Sequence, residues 1–98
     1  IKNGGYSVYA VEVERALEEH EAVAEAAVLG IPDERKGERV VAVVRLLDGQ
    51  PTTEDELLAF ARDRLSTYKV PQQIIVVDDL PRTGTDKVQK ARLRGLFA

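Results

Sequence analysis

Val40-Val41-Ala42-Val43-Val44-Arg45-Leu46-Leu47 is a β-branched, apolar run that ends at the turn-forming residues Asp48-Gly49-Gln50-Pro51. Branched side chains fit a pleated, buried surface, so this run predicts a well-buried strand. The Ala- and Val-rich segment Ala22–Leu29 predicts a short second strand, because it ends at Gly30-Ile31-Pro32-Asp33, where glycine and proline supply turn geometry. We expect the two strands to pair as antiparallel neighbours across a loop from Ile31 to Glu38.

One helix is predicted before these strands and another after them. In the first, side chains recur at the i, i+3, i+4, i+7 spacing of an amphipathic helix, at Val13, Ala16, Leu17 and His20. The second opens with Thr53 and Glu56, which match a capping box. It should end near Tyr68, because Pro71 disfavours helical geometry at the residue before it. Its expected buried stripe is Leu57, Leu58, Ala61 and Leu65.

The rest of the chain predicts one more strand and one more helix. Ile74–Val77 is short and apolar, as in a third strand. We expect Thr85 or Asp86 to cap a last helix that carries Val88, Leu93, Leu96 and Phe97. The predicted fold class is therefore α+β, with a small three-stranded sheet that contains an antiparallel hairpin and is flanked by about three helices. A sheet this small offers little room for a deep pocket, so function is expected in loops or on a face shared with another domain.

Composition excludes several classes of protein. The 98 residues suit one domain with a modest core. The chain has no cysteine, which excludes disulfides and thiolate metal sites, and its net charge of −3 argues against nonspecific nucleic-acid binding. No apolar stretch approaches the roughly 20 residues of a membrane-spanning helix. The sequence opens at Ile1 without a methionine, which suggests a piece of a longer chain.

Most residues able to do chemistry have a structural interpretation. His20 closes the apolar stripe of the first helix and has no second His or Cys beside it, so zinc or copper binding is not expected. Ser7 and Ser66 lack a recognisable His or Asp relay. The acidic residues of the two helices are interpreted as a solvated helix face and as favourable charge at a helix N-terminus; they are Glu12, Glu14 and Glu54-Asp55-Glu56.

Two glycine-bearing loops are the remaining candidates. Asn3-Gly4-Gly5-Tyr6-Ser7 has adjacent glycines, which permit positive φ or close approach of the backbone to a ligand. Arg82-Thr83-Gly84-Thr85-Asp86-Lys87 is polar and ends in a lysine, but it lacks the spacing of the nucleotide-binding P-loop. Taken singly, the first is interpreted as a turn and the second as a surface loop.

Taken together, these loops and the segments between them resemble the C-terminal domain of acyl-CoA synthetases in the adenylate-forming superfamily. The resemblance extends over nearly the whole chain, in order and with the spacing of the family. The residues that carry it are Ile1 to Glu14, Glu21-Ala22-Val23-Ala24-Glu25-Ala26-Ala27-Val28-Leu29-Gly30-Ile31-Pro32-Asp33, Tyr68-Lys69-Val70-Pro71, and Leu80-Pro81-Arg82-Thr83 through Lys87. It implies that residues 1–98 form the mobile C-terminal domain of a longer enzyme, whose large N-terminal adenylation domain is the partner in the same chain.

The resemblance also implies a reaction. A carboxylic acid and ATP give an acyl-adenylate, and CoA then displaces AMP, with ATP, Mg and CoA required by the full-length cytoplasmic enzyme and none bound tightly by this part. Lys87 is implied to be the catalytic lysine of adenylation, where a compact ammonium offsets negative charge. Gly4, Gly5 and Tyr6 are implied to line the CoA channel in a second domain pose. Alone, the 98 residues are expected to be inactive.

Two positions depart from the family, and two other functions remain open. Asp86 stands where the family commonly has glycine, and Ala10 stands where it usually has proline. The first alternative is a freestanding module that docks on a partner adenylation domain or has lost catalysis. The second is a nucleic-acid binder with a basic stripe on the last helix, at Lys87, Lys90, Arg92 and Arg94. The acyl group, the acceptor and the oligomeric state stay unassigned.

Overall fold

A computed structural model describes residues 1–97 and contains a five-stranded sheet with helices on both faces. The strands are β1 (Lys2–Asn3), β2 (Tyr6–Ser7), β3 (Val23–Asp33), β4 (Gly37–Leu46) and β5 (Gln73–Val77). The helices are α1 (Ala10–Glu18), α2 (Glu54–Arg64), a short 3-10 turn (Thr67–Lys69) and a C-terminal 3-10 helix (Lys90–Phe97). The α+β class is confirmed, but the sheet has five strands rather than three.

Strand β4 is the centre of the sheet. It pairs antiparallel with β3 from Val23↔Leu46 to Asp33↔Gly37, as the sequence predicted. On its other side it pairs in parallel with β5, and at its first residue it meets β1 through Asn3↔Gly37. Helices cover both faces of the sheet, so β4 is fully buried along its middle, which explains why its sequence is continuously apolar.

The turn between β3 and β4 is shorter than predicted. The Gly-Ile-Pro-Asp segment continues β3, and only residues 34–36 connect the strands. Ala26 and Val28 donate their N–H groups away from β4, so by the alternation of the strand the imino nitrogen of Pro32 also faces outward. An edge strand tolerates proline at such a position because no ladder hydrogen bond is lost.

The last helix was also predicted wrongly. Asp86 has φ +64, a left-handed conformation that a right-handed helix does not accept, so neither it nor Thr85 caps a helix. Val88 instead forms a β-bridge with Arg82, and the 3-10 helix begins at Lys90.

In α2, the Thr53 hydroxyl accepts the Glu56 N–H at 3.1 Å, as the capping box predicted, although the Glu56 carboxylate binds Thr52.

The core has two layers, one on each face of the sheet. Helices α1 and α2 cover one face with Val13, Leu17, Leu57 and Ala61, which pack on Val28, Val40, Ala42, Val44 and Ile74. The C-terminal 3-10 helix covers the other face with Leu93 and Phe97, which pack with Leu80 on Ala27, Leu29, Val41 and Val43. Alternate residues of β3 and β4 therefore face opposite cores.

Glutamates from the helices bind amides on the outer edges of the sheet. Glu14 and Glu18, one turn apart on α1, accept the N–H groups of Val28 and Ala26 in β3 at 2.9 and 3.1 Å. Glu54 of α2 accepts the N–H of Val76 in β5 at 3.2 Å. Free strand edges invite pairing with other chains, so these carboxylates protect the sheet. The prediction that Glu14 lies on a solvated face is wrong, since its side chain is only 17% exposed.

Candidate functional site

The Gly4-Gly5 loop is the turn of the hairpin formed by β1 and β2. Gly4 has φ +60 and Gly5 has φ +90, which are left-handed conformations that favour glycine. A Cβ added to either residue would meet no atom within 4 Å, so the backbone of this turn is open. The N–H of Gly4 donates to the carbonyl of Lys36 at 2.9 Å and fixes the turn beside the start of β4.

A groove of about 440 Å³ opens beside this turn. One wall is the ring of Tyr6 stacked on Tyr68, with ring centroids 4.7 Å apart and planes at 25°. The side-chain amide of Asn3 donates to the Tyr68 carbonyl at 2.7 Å and ties the two sides together. The lining residues are Asn3, Gly4, Tyr6, Lys36, Thr67, Tyr68, Val70 and Gln72. The groove is open to solvent, its exposed lining is mainly apolar, and Lys36 is the one charged residue in that lining.

The Lys87 loop is a second, separate site. It is closed by the bridge between Arg82 and Val88 and by a hydrogen bond of 2.8 Å from the Thr83 N–H to the Lys87 carbonyl. The Thr83 hydroxyl accepts the N–H groups of Thr85 and Lys87, both at 3.3 Å. The backbone of Lys87 is therefore held, while its side chain is exposed and forms no salt bridge within residues 1–97.

Asp86 occupies a position with the backbone geometry of glycine. Its φ of +64 explains why glycine suits this place, and aspartate is among the residues that tolerate the left-handed region best. The Arg82 guanidinium donates to the Asp86 carbonyl at 3.3 Å and lies 3.6 Å from its carboxylate. Asp86 thus preserves the turn, and its negative charge is offset by Arg82.

Glu25 anchors the Lys87 loop to the sheet. Its Oε1 accepts from Arg45 Nε at 2.9 Å and also from the Arg82 guanidinium. Burial, the largest single influence, raises the pKa of Glu25, but hydrogen bonds and charge from Arg82 and then Arg45 outweigh it and leave the pKa below its ordinary value. The hydrogen bond that Arg82 donates to the Glu25 carboxylate is the largest influence on Arg82 and raises its pKa. The three side chains form a cluster of one carboxylate between two guanidiniums.

This cluster predicts acid sensitivity with a defined sign. Because the pKa of Glu25 is lower in the folded chain, its contribution to stability is complete above the ordinary value of 4.5 and is lost as the pH falls through the folded pKa. We expect the difference in free energy of unfolding between the wild type and Glu25→Gln to be largest at pH 7 and to shrink below pH 4.5. Urea unfolding at pH 7 and below pH 4.5 measures this difference in free energy. A difference that stays constant with pH would contradict this assignment. Asp33, whose pKa is also lowered, is present in both proteins, so its contribution to the pH dependence cancels.

The two loops lie at opposite ends of β4. The Gly4-Gly5 turn contacts Lys36 and the strand's first residue, Gly37, whereas the Lys87 loop is anchored through Glu25 to Arg45. Eight residue steps separate positions 37 and 45, which corresponds to about 27 Å along an extended strand. The two loops are therefore anchored far apart on the sheet. Any single site that uses both must meet them in turn.

The other candidates have structural partners. His20 Nδ1 accepts the Ala22 N–H at 3.0 Å and its ring lies edge-on to Phe60 at 4.8 Å, which agrees with a structural role. The basic stripe is broken, since Lys90 pairs with Glu14 at 2.8 Å and Arg92 donates to Gln89. Among the described residues there is no cluster of three His, Cys, Asp or Glu side chains able to hold a metal ion. Nor does any helix within residues 1–97 have the length and apolarity to cross a membrane.

Sequence comparison assigns most of the chain, including the Lys87 loop, to a known domain. The sequence profile of the AMP-binding enzyme C-terminal domain matches residues 12–87, ending at Lys87 itself. The chain belongs to this family. It is 51% identical over 87 residues to 3-oxocholest-4-en-26-oate–CoA ligase of Rhodococcus rhodochrous and 48% identical over 90 residues to a long-chain-fatty-acid–CoA ligase of Bacillus subtilis. These alignments cover 89% and 92% of this chain.

Solved structures of the family share the fold in detail. The crystal structure of ATP-bound MatB from Rhodopseudomonas palustris superimposes with a TM-score of 0.92 at 37% identity, over 99% of this chain and 19% of that one. The chain spans 16% of the length of each of the two ligases. The AMP-binding enzyme C-terminal domain is thus a small part of the relatives that contain it, and most of their length lies outside the present sequence.

Several residues of the two sites were not predicted from the sequence, among them Tyr68, Lys36 and Glu25. Tyr68 and Lys36 line the groove but are 62 and 30 positions from Tyr6, and Glu25 lies 57 positions from Arg82. Such contacts depend on strand pairing and loop placement, which local spacing does not reveal. The signal available was the strand register, since β3–β4 pairing puts Glu25 opposite Arg45, and two such opposite charges predict an ion pair.

Proposed function

We propose that this chain is the mobile C-terminal domain of an AMP-forming acyl-CoA ligase, acting on a fatty acid or another carboxylic acid, and that it serves the two half-reactions with different loops. The observation that carries the proposal is the separation of the Lys87 loop from the Gly4-Gly5 loop by the length of β4. An active site on a large adenylation domain meets one loop in each step, after the small domain rotates. That larger domain is the proposed partner, in the same chain.

In the first half-reaction, a carboxylate oxygen of the acid attacks the α-phosphorus of ATP. The bond from that phosphorus to the bridging oxygen breaks, and pyrophosphate leaves with the electron pair. The ammonium of Lys87 lies between the attacking carboxylate and the α-phosphate, where negative charges would otherwise repel each other. Its exposure and the fixed backbone of its loop suit this role, because the side chain is free to enter a partner surface.

In the second half-reaction, the sulfur of CoA attacks the acyl carbonyl carbon. The bond from that carbon to the phosphate oxygen of AMP breaks, AMP leaves with the electron pair, and the thiol proton is released. The groove beside Gly4 and Tyr6 is proposed to pass the pantetheine arm. Exposed glycine backbone leaves room for a thin chain, and the stacked Tyr6–Tyr68 pair supplies an apolar wall. Lys36 at the groove edge favours an anionic substrate.

We propose that the Mg²⁺ required by the full-length enzyme binds outside the described residues, among which no group of three His, Cys, Asp or Glu side chains could hold a metal ion. ATP and CoA act as substrates of the whole enzyme. Both are intracellular compounds, and we place the enzyme in the cytoplasm.

The test is an assay of the native polypeptide that contains these residues, after its intact mass has been measured. The full-length protein is expected to release pyrophosphate from ATP with a carboxylic acid and to form acyl-CoA when CoA is added. The 98-residue chain alone is expected to do neither, because each loop supplies only one side of a site. Turnover by the 98 residues would contradict the proposal. A native chain that begins near Ile1 would instead support a freestanding docking module.

A further inference from the structure

A chain of charged contacts runs from the sheet to the residue before Lys87. Glu25, in β3, holds the Arg82 guanidinium with an oxygen that it shares with Arg45. Arg82 in turn contacts Asp86 twice, through its carbonyl at 3.3 Å and its carboxylate at 3.6 Å. The side chains of Glu25 and Arg82 are about one-quarter exposed, at 24% and 26%. This partial burial makes the contact between Glu25 and Arg82 less screened than an ordinary surface ion pair, whereas Asp86 is exposed.

Arg82 adds a side-chain contact to the hydrogen bonds that close the loop from within, which include one of 3.0 Å from the Asp86 N–H to the Thr83 carbonyl. Thr83 holds the loop from within through its hydroxyl and backbone, but Thr85 and Asp86 are exposed and Asp86 adopts a left-handed conformation. A non-glycine residue in that conformation persists when its surroundings stabilise it. Arg82 contributes to this stabilisation beside the Thr83 carbonyl, and Glu25 holds the Arg82 guanidinium.

We propose that Glu25 is a positioning residue for adenylation, which holds Arg82 and, through Arg82, sets the backbone of Asp86 and Lys87. The inference rests on the proposed role of Lys87. Removing the Glu25 charge leaves the Arg45 and Arg82 guanidiniums close together with no anion between them. Arg82 then moves away, the hold on Asp86 weakens, and the Lys87 ammonium loses its fixed approach to the reacting oxygens. Thioester formation, which uses the other loop, is unaffected.

The experiment compares Glu25→Gln, Arg82→Gln and the double variant in the full-length enzyme. We expect each single variant to slow adenylate formation by about 10- to 100-fold, the scale at which a misplacement of about 1 Å acts. Thioester formation from preformed acyl-adenylate should stay within about 2-fold of wild type. Because Glu25 acts through Arg82, the double variant should be no slower than Arg82→Gln alone. If the loss of adenylation in the double variant equals the product of the two single losses, the inference is overturned.

Glu19→Gln is the matched control, because it removes the same charge from an exposed pair with Arg64 at 3.5 Å, away from the loop. It should leave both half-reactions unchanged. Equal loss of both half-reactions in Glu25→Gln would indicate a general fold defect and overturn the positioning role. If Glu25→Gln does not fold, Glu25→Asp, which keeps the charge on a shorter stem, is expected to lower adenylation alone by a smaller factor.

The outcomes separate this inference from the proposed function. If Lys87→Ala loses adenylation and Glu25→Gln keeps it, only the positioning role of Glu25 is refuted. Lys87→Ala that keeps adenylation would refute the proposed function itself.

Discussion

Replacing Lys87 by alanine in the full-length ligase is expected to abolish adenylate formation while sparing thioester formation from preformed acyl-adenylate. The ammonium is the cation of an exposed loop whose backbone is fixed by Thr83, and it forms no salt bridge within residues 1–97 that would occupy it. Removal of one preorganised donor at developing charge typically costs about 10²- to 10³-fold in rate. We expect a loss of at least that size.

Pyrophosphate release measures the first half-reaction, and acyl-CoA formed from synthetic adenylate measures the second. Lys90→Ala is the matched control, since Lys90 lies three positions further on and pairs with Glu14 instead of entering the loop. Lys87→Arg is expected to remain impaired, because a planar guanidinium does not reproduce a compact ammonium. Equal damage to both half-reactions by Lys87→Ala would contradict its assignment to the first step.

The central hairpin was predictable because its information is local. The β-branched run of β4 and the paired Ala- and Val-rich run of β3 identify two buried strands without knowledge of the rest of the chain. The two-residue strands β1 and β2 were missed because so short a segment has no periodicity to read. The C-terminal helix was misplaced because the pattern of Leu93 and Phe97 does not report the left-handed residue at Asp86.

The candidate site divides in the same way. Lys87 and the Gly4-Gly5 turn could be found from adjacent residues, because a lysine in a polar loop and a pair of glycines are local features. Their roles came from family resemblance and remain predictions. The walls of the groove and the anchor of the Lys87 loop required tertiary structure, because Tyr68 and Glu25 reach their partners only after β4 has brought distant segments together.

The reciprocal prediction concerns Gly4, which lines the groove at the other end of β4. Gly4→Val in the full-length enzyme is expected to slow thioester formation by about 10- to 100-fold and to leave adenylate formation within about 2-fold. At φ +60 a β-branched residue is a genuine outlier, so the turn must shift and the Tyr6 wall shifts with it. A Cβ added to Gly4 would meet no atom of this chain within 4 Å, so backbone strain is the expected cause of the shift.

Gly49→Val provides the control for backbone strain. Gly49 has φ +73 and also has no atom within 4 Å of an added Cβ, yet it lies in the turn after β4 and outside the groove. Both valine variants should lose similar stability in thermal unfolding, whereas only Gly4→Val should slow the CoA step. If Gly49→Val slows that step equally, the effect is general strain and the groove is not the CoA channel. If Gly4→Val slows adenylation instead, the two loops have been assigned to the wrong half-reactions.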